Sequence, residues 1–305
     1  MRVVLFGAGK IGEKAYQRLR NEVIAVIDND EKKVGQKFHE VPIISLKEYQ
    51  EKYTGIHILI STMGVYDITE QLNKADIRNY SIAAEYFDPE DVYTDPDICH
   101  GNWPMYLKQL CDKPGYEVLE VGARVVTGDC FRRFFETATY TGFDYYAGEN
   151  VDVVGDAHKL SSYFDKKFDL IFSSAVFEHL AMPWRVSLEM IKLLKPGGYV
   201  FIETHYAHGS HERPWHFFQF SENALDVLFS SKFGMQCIKK GCSNLVEGKF
   251  SDKASEYLRG RLIRGIYCHS EYLGRKVSYL PDDRLSWDDI VLEDVAGGTQ
   301  YPKRK

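Results

Sequence analysis

The sequence has no apolar run long enough to span a bilayer as a helix, and no basic stretch followed by a signal-type apolar core opens it. "MRVVLF" is too short for either, so a soluble, cytoplasmic protein is expected. A basic excess is also missing. The 38 Lys and Arg are outnumbered by 44 Asp and Glu, for a net charge of -6, which argues against a nucleic-acid footprint. None of the six cysteines (Cys99, Cys111, Cys130, Cys237, Cys242, Cys268) forms a C-x-x-C pair. Scattered as they are through strand-like and helix-like segments, they read as reduced thiols. Apolar residues, by contrast, are plentiful: 44% of the chain is hydrophobic and 14% aromatic, which excludes disorder over most of its length. At 305 residues the chain exceeds what one core organises, so two domains are expected.

The first, over residues 1–95, opens "MRVVLFGAGKIGEKAYQRLR": an apolar strand running into G-x-G-x-x-G at Gly7, Gly9 and Gly12, then helical spacing at Ile11, Ala15 and Leu19. A second strand, "EVIAVID", closes on Asp28, where a dinucleotide fold places its ribose-binding acid. Strand, glycine turn, helix, strand and acid in this order predict a small Rossmann-like nucleotide-binding domain. With its "IDND…G…P-I" stretch, in which Glu40 stands where a glycine is usual before Val41 and Pro42, it resembles the N-terminal domains of sugar-modifying enzymes of polysaccharide assembly. That resemblance implies a nucleotide or nucleotide sugar as ligand. The competing reading is that the glycines only close a strand against a helix and leave a vestigial site. The stretch "FDPEDVYTDPDICHGNWP" then reads as a boundary, with a linker over 96–115.

Over 116–250, strands alternate with helices: "YEVLEVG", "DCFRRFFETA" as a short amphipathic helix, "YTGFD", "VDVVGD", "KFDLIFSSAVFEHL", "PWRVSLEMIKLL", "KPGGYVFIETHY". This pattern predicts a second doubly wound parallel sheet, with ligands at the strand carboxyl ends. Those ends carry Glu120, Asp144, Asp156, Ser174 and His205. The ordered motifs "FD-LI-SS-V-EHL" and "LKPGG" resemble class I S-adenosylmethionine (SAM)-dependent methyltransferases of the small-molecule type, over roughly Tyr116 to Phe233. The resemblance implies SAM as cofactor, Glu120 and Gly122 beside its methionine end, Asp144 on the ribose diol, and Asp156 with Ala157 at the adenine. A strand-end carboxylate can accept both ribose hydroxyl protons. "VLEVGARVVTG" departs from the family's glycine-rich loop at Arg124 and Val126. Arg124 would point outward as a packing residue, or inward to pair with the methionine carboxylate.

A hydroxyl acceptor needs a base, and "ETHYAHGSHERPWHFFQFS" offers His205, His208, His211 and His216. His205 is expected as the base, then His216. A metal site is the other reading of this segment, but its spacing matches no compact ligand motif, so no metal is expected. "KASEYLRGRLIRGIYCHSEYLGRKV" reads as a helical C-terminal extension over 251–305. Its Arg259, Arg261, Arg264, Arg275 and Lys276 are either a solvated face or a cover for the acceptor pocket, and "GGTQYPKRK" is a disordered tail. The leading expectation is a methyltransferase acting on a small polar acceptor, a sugar or nucleotide-sugar hydroxyl of surface-polysaccharide biosynthesis. No nucleic-acid or membrane-spanning partner is expected, and self-association is left open. The alternatives are an NAD-dependent oxidoreductase working through Gly7–Gly12, or a non-catalytic nucleotide sensor.

Overall fold

A computed structural model describes residues 2–83, 93–126, 128 and 130–288, apart from the side chain of Arg264. The chain divides into two units, Met1–Glu90 with Glu247–Gly265, and Asp91–Val246 with Ile266–Lys305. Among the described residues no helix is long and apolar enough to cross a membrane.

In the first unit, short runs of Val, Ile and Leu form strands buried on both faces, as parallel sheets require. The elements run β1 (Val3–Phe6), α1 (Lys10–Leu19), β2 (Val23–Ile27), β3 (Lys37–Phe38), β4 (Val41–Ile44), α2 (Leu46–Lys52), β5 (His57–Ile60), α3 (Val65–Lys74) and β6 (Tyr80–Ile82). The sheet order is β3-β4-β2-β1-β5-β6. β1 pairs in parallel with β2 and β5, and only β3 runs antiparallel to its neighbour. The helix α1 buries Gly12 and Ala15, small residues that let it approach the sheet. The helix α2 begins where Ser45 Oγ accepts the Glu48 N–H at 3.1 Å, a Ser-x-x-Glu start that satisfies an otherwise orphaned donor.

The second unit contains α4 (Trp103–Cys111), β7 (Glu117–Val121), β8 (Thr139–Asp144), β9 (Val153–Val154), β10 (Phe168–Ser174), α5 (Pro183–Leu193), β11 (Leu194–His205) and α6 (Glu222–Leu228). The long strands β12 (Met235–Lys249) and β13 (Leu262–Lys276) follow. The sheet order is β12-β13-β11-β10-β7-β8-β9, parallel from β11 through β9, with β13 antiparallel to β11. Alternate residues feed a core on each face. Leu119, Val121, Ile171 and Ile202 join Val186 and Ile191 of α5. Val118, Leu170, Phe172 and Phe201 pack with Trp103, Leu107 and Cys111 of α4. Each fully buried aliphatic or aromatic side chain contributes about 1.5–3 kcal/mol.

Three expectations are corrected. The segment expected as a linker, 96–115, holds α4, and its Trp103, Leu107 and Cys111 are fully part of a core. "DCFRRFFETA" forms only a 3₁₀ turn over Phe131–Phe134, because Arg132 is tied to Asn150 Oδ1 at 2.7 Å and to the Asn150 carbonyl at 3.2 Å before a second turn can form. The expected helical extension is instead strand β13 over Leu262–Lys276. Flanked by two strands, β13 buries consecutive residues, Ser270 to Gly274, and so loses the alternation that marks a strand in sequence. Arg275 pairs with Tyr199 of β11, six residues before His205, which pairs with His269. Lys276 Nζ is buried on the carbonyls of Ile191 and Leu194. Neither cation therefore covers the end of β11 that carries the histidines. The tail, 297–305, lies outside the described residues.

Candidate functional site

In the second unit the chain leaves β7 toward β8 on one side and β10 on the other, and such a reversal of strand order opens a crevice at the carboxyl ends. The loop leaving β7 begins at Gly122, whose φ is +89°. A Cβ there would stand 2.1 Å from Val176 Cγ2, so Val176 and the left-handed backbone already demand glycine before any ligand is considered. Arg124 packs within the loop and turns toward Asp144. Its backbone N–H bonds Asp144 Oδ2 at 3.1 Å and its Nε lies 3.6 Å from Asp144 Oδ1, while the guanidinium sits over the Tyr146 ring. Its aliphatic stem fills the space a Cβ on Gly148 would take. Asp144 also accepts the Tyr146 N–H at 2.9 Å. Nε of Arg124 is buried and has no hydrogen-bond partner among the described residues.

Glu120 is buried on the strand before this loop, accepting from Asn150 Nδ2 at 3.1 Å. Burial pushes its carboxyl up to about 8; Asn150 and Arg132 oppose the rise, and the charge of Asp144 adds to it. Asp156 caps the turn after β9, accepting the His158 N–H at 3.0 Å and facing His158 Nδ1 at 2.7 Å. Burial alone would raise the Asp156 carboxyl, but these His158 contacts hold it below the usual range. Ala157 begins that turn. Ser174 donates to the buried Glu203 at 2.8 Å, a carboxylate that also receives Trp103 Nε1 at 2.9 Å, so its hydroxyl proton is committed inside the protein.

At the end of β11, His205 is 8% exposed, and its Nδ1 lies 2.8 Å from Glu178 Oε1. Glu178 is wholly buried and accepts from Thr204 Oγ1 at 2.6 Å. Burial would lift its carboxyl; His205 and Thr204 outweigh that and keep it low. With Nδ1 facing a carboxylate, Nε2 of a neutral His205 carries the lone pair. His216 is a poorer base. Its Nδ1 accepts the His211 N–H at 3.3 Å, and burial together with His211 and His179 lowers its proton affinity.

In the first unit a cleft of about 360 Å³ is lined by Gly7, Gly9, Lys10, Asp28, Lys33 and Ser61, among others. The glycines have separate reasons. A Cβ on Gly7 would stand 2.8 Å from the Ser61 carbonyl, and one on Gly12 would stand 2.1 Å from the Gly7 carbonyl, whereas one on Gly9 would meet nothing within 4 Å. Packing explains two of the three and leaves Gly9 facing open space. Asp28 accepts the Ala8 N–H at 2.8 Å and pairs with Lys33 at 3.2 Å. Burial pulls its carboxyl upward, but backbone N–H groups and Lys33 leave it below the ordinary range.

Reasoning from sequence missed Asn150, Glu178 and the exposed pair Tyr145 and Trp215, whose rings meet edge to face at 5.5 Å. Glu178 was visible beside His179, but nothing in the spacing shows that β11 would deliver His205 to it.

Residues 116–202 match the family described as "Methyltransferase domain", and residues 1–83 match "C2185-like, N-terminal". No curated protein sequence matches. Among solved structures, the YcgJ protein of Bacillus subtilis is 17% identical with a TM-score of 0.41, covering 59% of this chain and 100% of its own. TehB of Haemophilus influenzae is 18% identical with a TM-score of 0.39, covering 58% and 62%. The N-methyltransferase NodS of Bradyrhizobium japonicum, in complex with S-adenosylhomocysteine (SAH), is 14% identical with a TM-score of 0.38, covering 58% and 85%. The family match identifies a methyltransferase domain over residues 116–202, within the second unit.

Proposed function

We propose that the chain transfers a methyl group from SAM to a hydroxyl of a small polar acceptor, a sugar or nucleotide sugar used in surface-polysaccharide synthesis in the cytoplasm. The observation that carries this reading is the polar rim of the crevice, Glu120, Asp144 and Asp156 at successive strand ends with the His205–Glu178 pair beyond them. The residues fit the cofactor. Two backbone N–H groups and a guanidinium leave Asp144 with acceptor capacity for a ribose hydroxyl. Arg124 Nε, buried without a hydrogen bond although ion-paired with Asp144 at 3.6 Å, supports an anionic group, such as the methionine carboxylate, at the same rim. SAM supplies an electrophilic methyl group; the chain's own residues align the acceptor and take its proton.

His205 accepts the hydroxyl proton at Nε2. Glu178 holds the ring and stabilises the imidazolium that forms, as a carboxylate behind a histidine does in other general-base sites. The exposed Tyr145 and Trp215 offer flat surfaces to a sugar ring. The first-unit cleft, with Gly9 open and Lys10 and Lys33 on its walls, supports binding of a nucleotide or nucleotide sugar there, with Asp28 at the ribose. The test is SAH formation from SAM with a panel of nucleotide sugars. His205→Ala should lower turnover by about a hundredfold or more with SAM affinity unchanged. Full activity in that variant would remove His205 from the base role.

A further inference from the structure

The histidines around this base contain a second arrangement, whose two rings take no part in the proposed proton transfer and which shares Glu178 with it. His179 Nδ1 lies 2.8 Å from the Trp215 carbonyl, and His211 Nδ1 lies 2.9 Å from the Gly209 carbonyl. A carbonyl oxygen only accepts, so both Nδ1 atoms carry hydrogen, and in the neutral rings both Nε2 atoms are bare lone pairs. Those two Nε2 atoms face each other at 3.2 Å. Two lone pairs at that distance repel unless something positive lies between them. Two nitrogens on one tetrahedral ion, with bonds of about 2.0–2.1 Å, stand about 3.3 Å apart.

A carboxylate completes the set. Glu178 Oε1 is 3.9 Å from His179 Nε2, buried, and receives no aligned hydrogen bond; its near neighbour is His205 Nδ1. Ligand atoms of Glu178, His179 and His211 all lie within 4.8 Å of one another. We propose that Glu178, His179 and His211 form a binding site for one divalent transition-metal ion of the zinc type, held by two imidazole nitrogens and one carboxylate oxygen. The surroundings are those of a metal site. Each ring gives its other N–H to a backbone carbonyl, and Thr204 holds the far oxygen of Glu178. Three protein ligands leave a fourth position for water or another ligand. The ligands come from segments 32 residues apart, which is why no compact motif appears in the sequence.

Cobalt(II) is the probe, and its readout does not depend on methyl transfer. The full chain is stripped with chelator, titrated with cobalt(II), and followed by its visible absorption and by metal content after gel filtration. One ion per chain is expected, with the ligand-field bands of a low-coordinate nitrogen and oxygen site. His179→Ala and His211→Gln should each weaken binding by about a hundredfold or more, while His57→Ala in the first unit leaves it unchanged; circular dichroism verifies that each variant is folded. No uptake by the wild type would overturn the proposal and leave a proton shared between the two rings. Equal uptake by folded His179→Ala and His211→Gln would overturn it as well. Binding lost in His208→Ala but kept in His179→Ala would move the ion to His205, His208 and His211, which also converge within 4.8 Å, and would refute this assignment.

Discussion

Replacing Glu120 by Gln should remove a pH dependence from the stability of the second unit. Burial moves the Glu120 carboxyl from an ordinary 4.5 to about 8. Between those values the native state holds a proton that the unfolded chain has released. The contribution is therefore fully present below about 4.5, falls as pH rises, and is exhausted above about 8. At about 1.4 kcal/mol per pH unit, the whole loss is on the order of 4–5 kcal/mol. Gln is neutral throughout and keeps an oxygen for Asn150 Nδ2. In urea unfolding, variant and wild type should agree near pH 5 and diverge by several kcal/mol at pH 8.5, with the variant more stable. At about 2–4 °C per kcal/mol, the melting temperatures should separate by roughly 10 °C. Other titrating groups, such as His269, which burial lowers to about 4, are common to both proteins and cancel in the difference. If the cofactor's methionine end lies beside Glu120, as the family resemblance implies, its ammonium group favours the ionised carboxylate, and saturating SAH should flatten the wild-type slope. A stability difference independent of pH, or a variant weaker than wild type at pH 8.5, would refute the reasoning.

The glycines separate packing from ligand access. Gly122→Ala should cost about 2–4 kcal/mol, since its Cβ falls 2.1 Å from Val176 Cγ2 at φ +89°; adding Val176→Ala should restore the steric part, and a single-variant loss below about 0.5 kcal/mol by urea unfolding would contradict the contact. In the first unit, Gly12→Ala should cost more than about 2 kcal/mol because its Cβ meets the Gly7 carbonyl at 2.1 Å. Gly9→Val should keep the fold, as nothing lies within 4 Å of a Cβ there, but abolish any thermal shift given by nucleotides; the reverse ranking of the two variants would overturn this division of roles.

Much of the fold was legible because its strands are continuous apolar runs whose carboxyl ends carry polar residues. "VLEV", "YTGFD" and "FDLIFSS" could hardly form anything but buried parallel strands. The strand-end residues Glu120, Asp144 and Ser174 were found on the same logic, and each occupies its expected end. What sequence hid was set by partners distant along the chain. β13 owes its existence to pairing with β11 and β12, not to its own periodicity. α4 looked like linker because two prolines and several acids precede it, while its Trp103 finds a core supplied by Phe172 and Phe201. Arg124 was ambiguous until the loop after β8 brought Asp144 and Tyr146 beneath it. Glu178 acquired a meaning only once β11 delivered His205 to it.

Calorimetric titration of the full chain with SAH tests the central claim most directly, paired with Asp144→Ala as its control. The account predicts saturable one-to-one binding that weakens at least tenfold in the folded variant, since two hydrogen bonds to a neutral diol are lost at about 1 kcal/mol each. Absence of binding heat in the wild type, or equal affinity in the two proteins, would contradict it.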